Sequence, residues 1–468
     1  MNIQKTKELV SMDSKLSMKA YLIIGTMLFA LFFGAGNLIF PAQLGQYAGE
    51  NVWLAMAGFL TTGVGLPLLG ILAIGFSKSR DLQDLSSRVH PVYGLLFTAA
   101  LYLTIGPFFA LPRTAAVSYE VGIVPFIGEG SVAIGLIVFS LIFYVVSLLL
   151  SLNPTQMVDS IGKFLAPAIL IVLGILLVAA FVSPMGEAGP AQEGYASGAF
   201  LTGFTEGYNT MDALASLVFG IIVISAVQKM GVTSSKGLLK ATLRSGAVAA
   251  GLLAVVYTGI AFLGATSTSQ LGLLETGGPV LSGASEHYFG TLGAMLLAVI
   301  ITLACLTTAV GLTVATSEFF HKLTPGISYR TYVFIFTIFS LVVTNAGLSN
   351  IITYSIPVLM FLYPLAIVLI MLAFMSPLFN HSRIVYVSAI GVTFFIAIID
   401  GLKTLTSSLG IENPTWLQSV IDFYAEVLPL YGDGLGWFVP ALAAILISGI
   451  VARLRNRRES ESPAFTNR

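Results

Sequence analysis

Charge is scarce in this chain. Only 9% of its 468 residues are Asp, Glu, Lys or Arg, where a soluble protein carries about a quarter. A water-facing surface of this length cannot be covered at that density, which excludes an ordinary soluble protein. Cysteine is nearly missing: Cys305 stands alone, so an intrachain disulfide and a multi-cysteine metal site are both excluded. His90, His287, His321 and His381 are the whole histidine complement, and none pairs with another at a metal-ligand spacing. The patterns GxxxxGK[ST], HExxH and GxSxG do not occur, which removes local support for nucleotide hydrolysis and for familiar hydrolytic chemistry. No polar segment is long enough to form an enzymatic, sensory or nucleic-acid-binding domain. The chain is not expected to be an enzyme.

What the chain does contain is hydrophobic sequence: 56% of residues, with a mean hydropathy of +0.92. Runs without an ionisable side chain cover 20–49, 130–158, 164–186, 245–274, 288–317 and 331–380. The last exceeds one span, and NAGLSN at 345–350 divides it. Backbone in hydrocarbon must satisfy its own hydrogen bonds, so these runs are helices. Their continuous hydrophobicity does not fit the alternation of a membrane barrel. The expectation is an all-α polytopic membrane protein with twelve transmembrane helices. They fall near 20–45, 50–76, 91–117, 131–152, 161–183, 198–228, 241–265, 289–317, 330–345, 351–376, 383–401 and 434–452.

Charge placement sets the orientation. With a cytoplasmic N-terminal tail at 1–19 and a cytoplasmic basic tail at 453–468, every basic residue falls inside except Arg113 and Lys403. Glu129, Glu187, Glu193, Glu275, Glu286, Glu412, Glu426 and Asp433 fall on the opposite side. That asymmetry places both termini in the cytoplasm of a multi-pass plasma-membrane protein. The arginines at 453–458 suit anionic lipid headgroups.

Two spans are irregular. FFGAGNLIFPAQLG at 32–45 carries Gly34, Gly36, Asn37 and Pro41 in its middle, and GFTEGYNTMD at 203–212 sets Gly203 and Gly207 among polar residues. An opened helix exposes amides and carbonyls at membrane depth, tolerable where they line a cavity or bind something. Its amide end suits a carboxylate and its carbonyl end suits a cation. The alternative for the first span is a GxG kink serving close packing. The irregular spans are the first and the sixth, the offset expected if spans 1–5 (20–183) and 6–10 (198–376) are inverted repeats, with spans 11–12 (383–452) added. Glu206 and Asp212 are candidates for coupling or gating, or for capping half-helices. Thr307 and Thr308, beside Ala304, are candidate oxygen ligands for a hard cation. Gly65–Leu66–Pro67, Gly106–Pro107 and Ile356–Pro357 are expected kinks.

The stretches FFGAGNLIFPAQLG (32–45), GFTEGYNTMDALASLVFG (203–220) and ACLTTAVGLT (304–313) resemble the bacterial branched-chain amino acid:cation symporter family, of LIV-II or BrnQ type, along essentially the whole chain. The resemblance implies the leucine-transporter fold, with its 5+5 inverted repeat plus two helices. It also implies sodium-coupled import of leucine, isoleucine and valine across the bacterial cytoplasmic membrane. By that resemblance the substrate carboxylate meets the backbone at Ala35, Gly36 and Asn37. Phe204, Thr205 and Gly207 serve the α-amine and side chain. Na+ is held by the carbonyls of Ala30, Phe33 and Ala304 and the hydroxyls of Thr307 and Thr308. No obligatory protein partner is implied, membrane lipid apart. Proton coupling and another small solute on the same scaffold are the alternatives.

Overall fold

The computed structural model describes residues 16–152, 157–192, 194–232 and 234–461, and every regular element among them is helical. Lys5, Lys7, Lys15, Glu193 and Arg468, used above to orient the chain, lie outside the described residues. In chain order the helices are α1 (Met18–Phe32), α2 (Ala35–Ala48), α3 (Val52–Leu60), α4 (Leu66–Ser77), α5 (Leu82–Ser86) and α6 (Pro91–Leu103). They continue with α7 (Ala110–Gly122), α8 (Val132–Ser151), α9 (Met157–Val182), α10 (Tyr195–Glu206), α11 (Asp212–Lys229) and α12 (Ser235–Leu271). The chain ends with α13 (Gly277–Leu323), α14 (Tyr329–Thr344), α15 (Leu348–Met375), α16 (Arg383–Ser408), α17 (Thr415–Val427) and α18 (Phe438–Glu461).

Among the described residues eight helical stretches are long and apolar enough to cross a membrane. Met18–Phe32, Pro167–Val182 and Tyr329–Thr344 are apolar but shorter. The turn between α14 and α15 falls at Asn345–Gly347, inside NAGLSN. α8 lies at the periphery: Ile134, Ile137, Leu141, Ile142 and Leu149 are all exposed, the surface that a lipid solvent rather than water accommodates. α17 is a short helix between α16 and α18 that hydropathy alone did not mark.

Several helices are interrupted, each for a local reason. α1 and α2 form one broken span: Gly34 is extended (φ −123, ψ −164), and its N–H donates to Asn37 Oδ1 at 2.9 Å. Pro41 further withholds the amide that the Asn37 carbonyl would accept. α10 and α11 are joined by a 3₁₀ turn at Gly207–Thr210 and by Met211 in the left-handed region (φ 61, ψ 6). That backbone is uncommon for a residue with a side chain and marks a place the surroundings enforce. π-helical turns at Thr61–Gly65 and Thr104–Phe108 separate α3 from α4 and α6 from α7. The first two expected kinks therefore lie at π turns, whereas Ile356–Pro357 lies within α15, which continues through it. Gly290 (φ 63, ψ −167) bends α13.

The interrupted helices form the centre. α12 packs along both α1 and α2, α10 against α3, α11 against α4, and α7 against α13. α2 and α12 approach to backbone distance. A Cβ at Gly45 would stand 2.0 Å from the Ala261 carbonyl oxygen, and one at Gly264 would stand 2.2 Å from that of Ala42. Small residues at such crossings are how helices associate where no hydrophobic force drives them together.

Candidate functional site

The two breaks face one another across a cavity of about 50 Å³. Gly34, Ala35, Gly36 and Asn37 line it from the first broken span, and Thr210, Met211, Asp212, Ala215 and Phe219 from the second. α7 adds Ala110, Arg113 and Thr114, and α13 adds Thr308 and Leu312. Helices α2 and α11 both begin at this cavity, so their N-terminal, positive dipole ends converge there, the Asp212 amide of α11 donating to Thr210 Oγ1 at 3.3 Å. Much of the remaining lining is aliphatic or aromatic, with Leu31, Phe32 and Ile105 beside Ala215, Phe219 and Leu312.

Asn37 ties the breaks together. Its Oδ1 caps the Gly34 amide, and its Nδ2 donates to Asp212 Oδ2 at 2.5 Å and to the Tyr257 hydroxyl. The Tyr257 hydroxyl donates in turn to Asp212 Oδ2 at 3.0 Å. Asn37 is 2% exposed and Asp212 3%, so each depends on these partners for its polar satisfaction. Glu206 stands apart, accepting from Asn209 Nδ2 at 2.9 Å, and is not part of the cavity wall.

Phe204, Thr205 and Gly207 are placed differently from the residues of the first break. Thr62 Oγ1 donates to the Phe204 carbonyl at 2.7 Å, and the Thr205 hydroxyl turns back onto the carbonyls of Leu201 and Thr202. A Cβ at Gly207 would lie 1.9 Å from Thr62 Oγ1. This part of the second break is committed to the α3–α4 span, and the cavity is reached from Thr210 onward.

At the first break the carbonyl end of α1 lies near α13. Gly34 N–H points to Asn37 instead of to the Ala30 carbonyl, which leaves that carbonyl and that of Phe33 without a helical donor. Thr308 borders Gly34, its Oγ1 lying 3.4 Å from where a Gly34 Cβ would be. Thr307 and Thr308 both donate to the Ala304 carbonyl, at 2.7 and 3.1 Å. Their oxygens keep lone pairs for another partner. Neutral carbonyl and hydroxyl oxygens of this kind fit a hard monovalent cation, and among the described residues no cluster of His, Cys, Asp or Glu fits a transition metal.

Arg113 corrects the reading of charge placement. The charge count put it on the external side, near the end of the expected 91–117 span; in the structure it sits within α7, 2% exposed, on the cavity wall. Nη1 donates to the Asn209 carbonyl at 2.6 Å and Nη2 to Ser355 Oγ at 3.0 Å, while the guanidinium lies 4.9 Å from the centre of the Phe40 ring. Its helix is buried without a break from Leu111 to Tyr119, so the cation has no water-facing side to turn to.

A family profile described as "Branched-chain amino acid transport protein" matches residues 17–455. The chain belongs to this family. Its members include the branched-chain amino acid permease BrnQ of Bacillus subtilis, 47% identical over 95% of this chain and all of that one. The B. subtilis permease BraB is 46% identical over 94% and 97%. The branched-chain amino acid transport system 2 carrier protein of Pseudomonas aeruginosa is 43% identical over 92% and 96%. These relatives are named as permeases and carriers, not enzymes.

Among solved structures, the fold matches MhsT in complex with L-phenylalanine, at a TM-score of 0.54 and 15% identity over 93% of this chain and 98% of that one. It also matches Mhp1, a nucleobase-cation-symport-1 family transporter, at 0.58 and 13% over 93% and 92%. At such low identity the likeness is one of fold: this chain shares the helical arrangement of these two transporters.

Proposed function

We propose that the chain imports leucine, isoleucine and valine across the bacterial cytoplasmic membrane by sodium-coupled symport and alternating access. The substrate class follows from its relatives, and the observation that carries the mechanism is that two helix breaks open onto one cavity. In this reading the chain crosses the membrane twelve times with both termini cytoplasmic. The segments 20–183 and 198–376 form two inverted repeats, and 383–452 adds two helices. Lipid is the only obligatory surrounding, with no protein or nucleic-acid partner.

Amides at Ala35, Gly36 and Asn37 favour an anionic group, and the aliphatic wall accepts a branched side chain. One methylene is worth only about 1–3 kcal/mol in such a wall, so the three substrates are separated weakly and polar side chains strongly. Na+ is assigned to the carbonyls of Ala30, Phe33 and Ala304 and the hydroxyls of Thr307 and Thr308. A cation there joins the end of α1 to α13 beside Gly34, and thereby holds the first break in shape for the substrate. Linkage makes the effect mutual: substrate tightens sodium binding by the same factor.

A second cavity of about 270 Å³, lined by Arg80, Asp81, Tyr102, Val218, Ala315 and Lys322 among others, lies toward the face assigned to the cytoplasm. Val218 adjoins Phe219, and Ala315 lies one helical turn beyond Leu312, so a thin layer of side chains separates it from the central cavity. That layer is the exit gate in this reading. Rocking of the broken helices against their scaffold opens one side as it closes the other.

The test is radiolabelled leucine uptake into proteoliposomes under an inward sodium gradient, an equal choline gradient, or a proton gradient. Accumulation driven by sodium and competed by isoleucine and valine is the expected result. Accumulation with protons alone would replace sodium as the coupling ion and turn attention to Glu206 and Asp212.

A further inference from the structure

Arg113 has more hydrogen-bond donors than the protein satisfies. A guanidinium carries five N–H groups in a planar fork. Here two of them are used, one by the Asn209 carbonyl and one by Ser355 Oγ, and Nε is buried without a partner. No carboxylate pairs with it among the described residues. A charge removed from water in this way is costly unless something pairs with it. The side chain borders the cavity beside the start of α2: a Cβ at Gly36 would lie 3.5 Å from Nη1.

Asp212 lines the same cavity with a carboxyl group. The hydrogen bonds from Asn37 and Tyr257 both end on Oδ2, and Thr210 lies beside the same carboxyl group. The two groups do not form an ion pair with each other. The cavity thus holds a guanidinium with spare donors and, from the second break, the carboxyl group of Asp212, with apolar side chains beside both.

We infer that Arg113 and Asp212 are the charged receptors of a zwitterionic α-amino acid. The guanidinium forks onto the α-carboxylate together with the α2 amides, and Asp212 Oδ1 accepts from the α-ammonium. Recognition is therefore of the backbone end of the substrate, which the side chain does not alter. The inference rests on the reading of the chain as an amino acid carrier, and replaces the backbone of Phe204, Thr205 and Gly207 as receptors of the amine. Arg113 also joins the 3₁₀ turn of the second break to α15 through Asn209 and Ser355, so binding of the carboxylate acts on the element that must move.

Calorimetric titration of the purified protein in saturating sodium tests this. The ligands are leucine, leucinamide (no carboxylate) and 4-methylpentanoate (no amine). The wild type should bind leucine at least about 100-fold tighter than either analogue, the scale of losing one partner of a buried charge pair. In Arg113→Gln, leucine should weaken about 100-fold while leucinamide changes less than about threefold, so their ratio collapses. Asp212→Asn should do the same to the ratio of leucine to 4-methylpentanoate. A purely structural role would weaken all three ligands together and leave the ratios as they were; that result overturns the assignment. Should Arg113→Gln fail to fold, Arg113→Lys keeps the charge and loses the fork, and leucine should weaken about tenfold with leucinamide unchanged. Equal wild-type affinity for leucine and leucinamide overturns the inference and leaves the transport reading standing. No leucine binding by folded wild type, with sodium or at low pH, overturns both.

Discussion

Asn37 of the first broken span donates its Nδ2 hydrogen to Asp212 Oδ2 of the second at 2.5 Å. Two residues separated by 175 positions thereby lock the helix breaks to one another. The same side chain accepts the Gly34 amide, so one asparagine both opens α1 from α2 and fixes where the opening faces.

Removing that link should loosen the site as a whole. Asn37→Ala leaves the Gly34 amide and part of Asp212 without partners, at about 1–3 kcal/mol for each buried group stranded. The expected outcome is a lower midpoint of thermal unfolding in detergent together with loss of leucine uptake. Tyr257→Phe takes away one donor to Asp212 and should cost only about two- to tenfold in uptake, the worth of an ordinary hydrogen bond.

The position of the first break is legible in the sequence because glycine, asparagine and proline interrupt a run that otherwise has every reason to stay helical. The second is legible in kind but less sharply in place. Sequence pointed to the whole of 203–212, with Gly203 and Gly207 as its glycines; within it the departure from helix runs from Gly207 to Met211. Gly203 has another task, since a Cβ there would lie 1.9 Å from the Ala55 carbonyl oxygen. Nothing local distinguishes a glycine needed for close approach from one needed for a break, and Met211 is not a residue type that announces a left-handed turn. Arg113 was hidden for a related reason. Counting cations by side treats one near a span end as a loop residue, and its acceptors, Asn209 and Ser355, come from distant segments.

The threonine pair separates a cation ligand from a structural hydroxyl. Thr308→Ala should raise the sodium concentration for half-maximal leucine uptake about tenfold or more, while Thr308→Ser, which keeps the hydroxyl, stays near wild type. An unchanged sodium requirement in Thr308→Ala would leave the pair with its bonds to Ala304 and no further role.

The gate proposed beneath Phe219 and Leu312 can be tested by labelling. Cys305 is buried and is the chain's only cysteine, so Ala315→Cys introduces a single accessible thiol. Its reaction with a membrane-impermeant maleimide from the cytoplasmic face should be fast without sodium and slow several-fold when sodium and leucine are added. A rate that ignores both ligands would argue against a gate there.

Close packing of α2 on α12 should be intolerant of size. Gly264→Val places side-chain atoms where the Ala42 carbonyl lies, 2.2 Å from the Cβ position, and neither backbone can yield cheaply. Loss of folded protein, measured by size-exclusion chromatography after extraction, is expected. Gly251→Ala on the same helix, where no atom lies within 4 Å of the Cβ position, should be without effect.

The most direct measurement is a structure determined with sodium and leucine bound. The account predicts leucine between the two breaks, its carboxylate at Gly36 and Arg113, its amine at Asp212 and its side chain toward Phe219 and Leu312, with sodium beside Thr308. Leucine bound elsewhere, touching neither Arg113 nor Asp212 and leaving the breaks empty of substrate, would contradict it.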